Sequence, residues 1–394
     1  MSFFLERLSL NRIWIIVFSL FLITSAFFCG FTRVNNIFHA SGVLFLVMLW
    51  RNSDLRHQIF KNKRLVIGLV ICTMYLLYYS LTNLWSSQPK NIESTLTHSV
   101  YLILFLAMLA TIINSRYRIQ IYLAISIGFA SLAVFLISVD YKNILINRLV
   151  YIATPGPENV IDVGGYFAMG IILSLIAYRS LKNYWILLLT GILLVAMFLT
   201  QSRGPIIACF LSLLITSHIR IFNRRNVSIS ALLLISAGII LGLSGIGSII
   251  IERFFELTTQ VYLRLSIWHH SLNIIMDAPF FGHGFNAKLQ FTNYSGEFIT
   301  TTHSLYLGAL LKGGLVGFFL MLLIIGYGLH GAITCIKNGR RLEAALFIFM
   351  LIFYISQGIF NIGNPAEFWY LFWFPLGVMM TAPHTMKLTG YQHR

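Results

Sequence analysis

Three short constellations hold the residue types in this chain that could do chemistry. The first is Thr200-Gln201-Ser202-Arg203-Gly204-Pro205. It joins two apolar runs by a tight turn, and Arg203 has no acidic neighbour in sequence. An arginine at that depth either snorkels to the membrane surface or holds an anion. Its guanidinium forks two hydrogen bonds to a phosphate, and Ser202 and free backbone N–H groups can add to the site. The second is Arg264 with Trp268 and Ser271, which share one face of a helix. It reads as an interfacial helix with a tryptophan anchor, or as a second cation over a diphosphate with the indole against a sugar or lipid. The adjacent His269 and His270 point to different faces, which makes a poor metal pair. The third is His303-Ser304 followed, after nine residues, by Gly314-Leu315-Val316-Gly317. In one continuous helix His303 and Gly314 lie roughly 16 Å apart on nearly the same stripe. Glycines there permit close approach of a helix or a lipid. His303 would stand at the outer end, as an interfacial or capping residue or as a base near neutral pH.

One reaction uses all three. If a sugar is carried on a polyprenyl diphosphate, an acceptor hydroxyl attacks its C1 and the diphosphate departs with added negative charge. A base near the hydroxyl and cations near the departing phosphate both assist. His303 suits the first task; Arg203 and Arg264 suit the second. A metal-dependent route would favour an Asp-x-Asp pair, and none of the four aspartates forms one. There is no CxxC pair and no nucleotide-binding glycine loop, so no metal and no cofactor are expected.

These residues need a membrane scaffold to position them. The 394 residues are 58% hydrophobic and 10% charged, against roughly 25% charged for soluble domains. Apolar runs of spanning length recur at about 13–31, 35–50, 65–84, 96–113, 119–139, 163–178, 184–199, 205–221, 229–251, 303–336, 342–360 and 367–384. The second is short enough to be re-entrant. The tenth contains a Gly-Gly break that divides it into a short helix and a full one. This predicts an all-α integral membrane protein with about twelve transmembrane helices, residues 1–394 forming a single polytopic membrane domain. With a cytoplasmic N-terminus, 19 of the 28 basic residues fall in inner segments, while nine of the twelve acids fall outside. Both termini are then cytoplasmic. The net charge of +16 therefore serves topology, and no nucleic acid is expected as a partner. Two outer segments are long, a smaller loop at 140–162 and a large one at 252–302 that is expected to contain short helices. Charged residues in these loops (Asp140, Lys142, Arg148, Glu252, Arg253, Glu256) read as solvated, and His283 and Asn286 as structural.

The Ser-Arg-Gly turn, the Arg-xxx-Trp helix in a large outer loop and the His-Ser-x9-Gly-xx-Gly segment resemble the O-antigen ligase family, whose relatives include O-antigen and other glycan polymerases. The motifs cover roughly residues 160–340. The resemblance implies a metal-independent, inverting glycosyltransferase of the GT-C type, multi-pass in the bacterial inner membrane with a periplasmic active site. It implies an undecaprenyl-diphosphate-linked glycan as donor, lipid A–core oligosaccharide as acceptor, and membrane lipids as surroundings. His303 becomes the candidate base and Arg203 and Arg264 the diphosphate ligands, with Ser202, Trp268, Ser304, Gly314 and Gly317 supporting. A glycan polymerase shares this chemistry and stays open as an alternative. A polysaccharide transporter or flippase stays open too, though the apolar spans are nearly free of ionisable residues.

Overall fold

The computed structural model describes residues 9–87, 89–144, 149, 155–217, 257–358 and 360–383. The expected ninth span, the opening of the large loop with Glu252, Arg253 and Glu256, Arg148 and both termini lie outside them. The helices are α1 (Leu10–Phe27), α2 (Thr32–Arg51), α3 (Ser53–Lys61), α4 (Lys63–Leu81), α5 (Ile92–Ile113), α6 (Arg118–Ile144), α7 (Val160–Leu181), α8 (Trp185–Leu199), α9 (Arg203–Thr216), α10 (Leu257–Asp277), α11 (Leu305–Lys337), α12 (Arg341–Phe353) and α13 (Phe374–Met380), the last continuing a π-helical turn at Trp369–Trp373. Among the described residues six of these, α1, α4, α5, α6, α7 and α11, are long and apolar enough to cross a membrane; α8, α9 and Trp369–Met380 are shorter apolar helices. The molecule is an all-α, multi-pass membrane protein.

Helix ends gather at two faces of the bundle. At one, basic side chains finish helices whose last carbonyls lack partners. Arg64 donates to the carbonyl of Met379 at 3.2 Å, and Arg341 to that of Ser217 at 3.0 Å. Arg340 pairs with Glu343 at 3.1 Å. The opposite face carries the three constellations and the irregular backbone.

Several elements depart from the sequence reading. α6 runs through Ile144, so Asp140, Tyr141 and Lys142 are helical and the first long outer loop is shorter than 140–162. α12 stops at Phe353 rather than continuing to 360: the polar Ser356-Gln357-Gly358 leaves the helix, and Gln357 is drawn to a partner on α7. The large loop folds as a 21-residue helix, α10, followed by a two-stranded hairpin pairing Phe291 with Ile299, rather than as short helices. α10 lies on the start of α11 through a small core of Ile267, Ile275, Leu289, Ile299 and Leu311.

α11 carries the Gly-Gly break expected of the tenth span. Gly314 has φ 59° and ψ −161°, so the helix is broken there and His303 and Gly314 share no continuous stripe. An α-helix would bond Leu315 N–H to Leu311 O and Val316 N–H to Lys312 O. Here the turn 278–284 enters the break and takes all four groups. His283 and Gly284 N–H donate to the Leu311 and Lys312 carbonyls at 2.9 and 3.0 Å. Leu315 and Val316 N–H donate to the Pro279 and Phe280 carbonyls at 2.8 and 3.2 Å. Two intrahelical bonds are thus replaced by four between segments. α4 seals the crossing: Tyr78 and Tyr79 donate to the carbonyls of Gly313 and Ala309 at 2.7 and 2.9 Å. A Cβ on Gly317 would lie 2.5 Å from the Tyr79 hydroxyl. The glycines therefore admit a loop and two tyrosines. Lys312 completes the joint, its ammonium donating to the Phe285 and Ala287 carbonyls between the rings of Phe285 and Phe360.

Candidate functional site

Arg203 is the first residue of α9, with Ser202 as its N-cap. The turn before it is tight enough that Gln201 takes a left-handed φ of 50°. Thr200 fixes it by donating to Met197 O at 2.7 Å and accepting from Ser202 N–H at 3.3 Å. The Ser202 hydroxyl is buried and lies 3.4 Å from the Val160 carbonyl and 3.3 Å from that of Thr200. Its part is therefore to hold the turn and tie it to α7. A cation at a helix N-terminus faces the positive end of the dipole, an arrangement that an anion relieves.

Arg264 projects from α10 beside this turn. It is half-buried, and burial first and then the charge of Arg203 lower its pKa from the ordinary arginine value. The two guanidinium groups, 61 residues apart in sequence, are thus near enough to feel each other's charge. Trp268, one turn on, packs against the small core under α10. Ser271 is buried and bonds the carbonyl of Ile267 at 2.7 Å. The Ser271 hydroxyl is thus engaged within α10, whereas the buried Trp268 Nε1 has no hydrogen-bond partner.

His303 joins the same group. It precedes the Ser304 N-cap of α11 and has a left-handed φ of 47°. The fold holds it there: Leu305 N–H donates to Tyr354 O at 3.2 Å, and a Cβ on Gly358 would lie only 2.7 Å from His303 N. Thr302 braces the turn by donating to Ser304 O at 2.6 Å. Burial first and then the charge of Arg264 lower the imidazole pKa below its ordinary value, with Glu297 opposing. A neutral imidazole beside the Arg264 guanidinium, which in turn feels Arg203, can take a proton while the arginines hold a departing anion. Gly314 and Gly317 lie at the loop crossing, where residues 278–284 and Tyr79 pack against α11.

Residues 186–322, which contain Arg203, Arg264, His303, Gly314 and Gly317, match the family model described as O-antigen ligase. This part of the chain is similar to the O-antigen ligase family. Over 198 residues it is 28% identical to the O-antigen ligase of Pseudomonas aeruginosa, a match covering 49% of this chain and 45% of that protein.

Sequence reasoning missed a second group at this face of the molecule. Asp162, on the first turn of α7, is buried and accepts a 2.6 Å hydrogen bond from Gln357. Glu367 lies nearby, its Oε2 3.5 Å from the Cys29 thiol. An acid inside an apolar run and a polar Ser-Gln-Gly break at the end of another were the available signals.

Proposed function

We infer that the chain is an O-antigen ligase acting on the periplasmic side of the bacterial inner membrane. It transfers polysaccharide from undecaprenyl diphosphate to lipid A–core oligosaccharide. His303 takes the proton of the acceptor hydroxyl as that oxygen bonds to the anomeric carbon. The bond from that carbon to the phosphate oxygen breaks, and undecaprenyl diphosphate leaves with the electron pair. A single displacement inverts the anomeric centre. Arg203 and Arg264 stabilise the leaving diphosphate, the task a divalent cation performs in metal-dependent transferases. The observation that carries this reading is the convergence of two arginines and a histidine of lowered pKa from three separate segments.

The test is glycan analysis of cells lacking the protein. Unsubstituted lipid A–core, with full-length polymer stranded on the carrier lipid, is the expected result. Lipid A–core bearing a single repeat would instead identify a polymerase, and unchanged glycans would remove the case for glycan transfer. His303→Ala at wild-type abundance is expected to reproduce the deletion; normal ligation in that variant would overturn the base assignment.

A further inference from the structure

The acidic group missed in the sequence lines a cavity of about 530 Å³, within the roughly 300–1,000 Å³ of small-ligand sites. Its walls come from the α1–α2 turn (Cys29, Phe31), the entry to α7 (Glu158, Asn159, Asp162) and Glu367 before the π-turn. Two contacts tie it to the candidate transfer site. Gln357 donates to Asp162 Oδ1, and the next residue, Gly358, lies against the backbone of His303. On the other flank, the Ser202 hydroxyl lies 3.4 Å from the carbonyl of Val160, two residues before Asp162.

The chemistry of the lining selects its occupant. Asp162 is 1% exposed, and its second oxygen, Oδ2, has no hydrogen-bond partner. Leaving a buried carboxylate oxygen undonated is costly, so a native structure that does so calls for a donor from outside. Glu367 Oε2 lies 3.5 Å from the weak thiol donor of Cys29. No lysine, arginine or histidine lines the cavity, which makes it hostile to phosphate. Among the described residues no group of three or more ligating side chains is placed to hold a metal. Hydroxyl groups arrayed on a ring answer these demands, and the 37%-exposed ring of Phe31 offers a flat apolar face at the rim.

We propose that this cavity is a sugar-binding subsite of the transfer site. It takes a neutral or amino-bearing sugar whose hydroxyls donate to Asp162 and Glu367 and whose ring lies on Phe31. This rests on the glycan-transfer reading above. The sugar belongs either to the acceptor oligosaccharide or to the transferred polymer, since both offer the same hydroxyls.

The experiment is saturation-transfer NMR and titration on the purified full chain in detergent. The probes are delipidated core oligosaccharide and, separately, delipidated polymer. Glu367→Gln and Phe31→Ala are compared with the wild type, with thermal melts to establish folding; the rim variant Glu158→Gln guards against a folding loss at the more enclosed sites. Loss of a hydrogen bond to a carboxylate is expected to weaken binding of one glycan by about tenfold or more. Weakening confined to core oligosaccharide makes the cavity the acceptor subsite; weakening confined to polymer makes it a donor subsite. A wild-type chain that binds neither glycan, or folded variants that bind both as the wild type does, would overturn the proposal. Because binding is read on the isolated protein, this result is separate from the cellular glycan phenotype. A deletion without phenotype would refute the ligase reading and leave the cavity measurement intact.

Discussion

Gly314→Ala tests whether the broken helix positions the site. At φ 59° and ψ −161° the residue occupies a region open essentially to glycine alone, so any side chain pays about 1–3 kcal/mol in backbone strain. The added Cβ would stand 2.4 Å from both the carbonyl carbon and oxygen of Phe280. Those are backbone atoms, so relief requires the turn 278–284 to back out of the break. The four bonds made there would then be lost, and only the two intrahelical ones regained. A net loss of two bonds at about 1 kcal/mol each costs about 2 kcal/mol, comparable with the roughly 1–3 kcal/mol of strain paid if the break persists. The control is Gly326→Ala in the same helix, where an added Cβ meets nothing within 4 Å. Thermal melting in detergent and ligation in cells should both fall for Gly314→Ala and stay near wild type for Gly326→Ala. A Gly314→Ala protein that melts and ligates like the wild type would refute the interlock as the element that holds α10 against α11.

Other perturbations follow from the same geometry. Arg203→Lys and Arg264→Lys should each retain insertion but lose much of their transfer activity, because an ammonium lacks the bidentate fork; full activity with lysine would reduce the requirement to charge alone. Lys312→Met should lower the melting temperature, since the Phe285 and Ala287 carbonyls lose their donor; an unchanged melt would show that packing between the two rings suffices. His303 must be neutral to accept a proton, and its lowered pKa keeps it so below the ordinary histidine value, with activity falling as pH drops through that lowered pKa. Glu297 favours the charged imidazole, so Glu297→Gln should move the acid limb of the pH–rate profile to lower pH; a shift to higher pH would contradict the assignment.

The membrane scaffold and the three candidate side chains were legible because each stands out locally. Arg203, Arg264 and His303 are polar residues bordering apolar sequence, and apolar spans announce themselves by length. What was hidden depends on partners distant in the chain. The Gly-Gly pair signals a break, but not that residues 279–284 fill it, because the exchange is written in backbone groups common to every residue. Ser202 reads as a phosphate ligand until Val160 and Thr200 are seen to surround its hydroxyl. Asp162 reads as an isolated acid until Gln357 is placed against it. The polar Asp140-Tyr141-Lys142 reads as the start of a loop, yet a helix leaving the apolar layer continues while its backbone bonds remain satisfied.

Among the described residues, the breaks at Gly314, at the end of α12 and at the π-turn share a pattern that bears on mechanism. Hydrocarbon tolerates non-helical backbone only where protein supplies the missing partners. Here the Gly314 break is filled by residues 279–284, and the Tyr354 carbonyl at the end of α12 takes the N–H of Leu305. At the π-turn, Trp373 reaches the Asn361 carbonyl at 2.7 Å. Each repair ties a different helix to the segment carrying His303, Arg264 or the acidic cavity. The left-handed φ values of Gln201 and His303 lie within this braced region, directly before Ser202-Arg203 and Ser304. Such conformations persist only where the surroundings over-determine them. The strain is therefore the local cost of the tight turns that lead into α9 and α11.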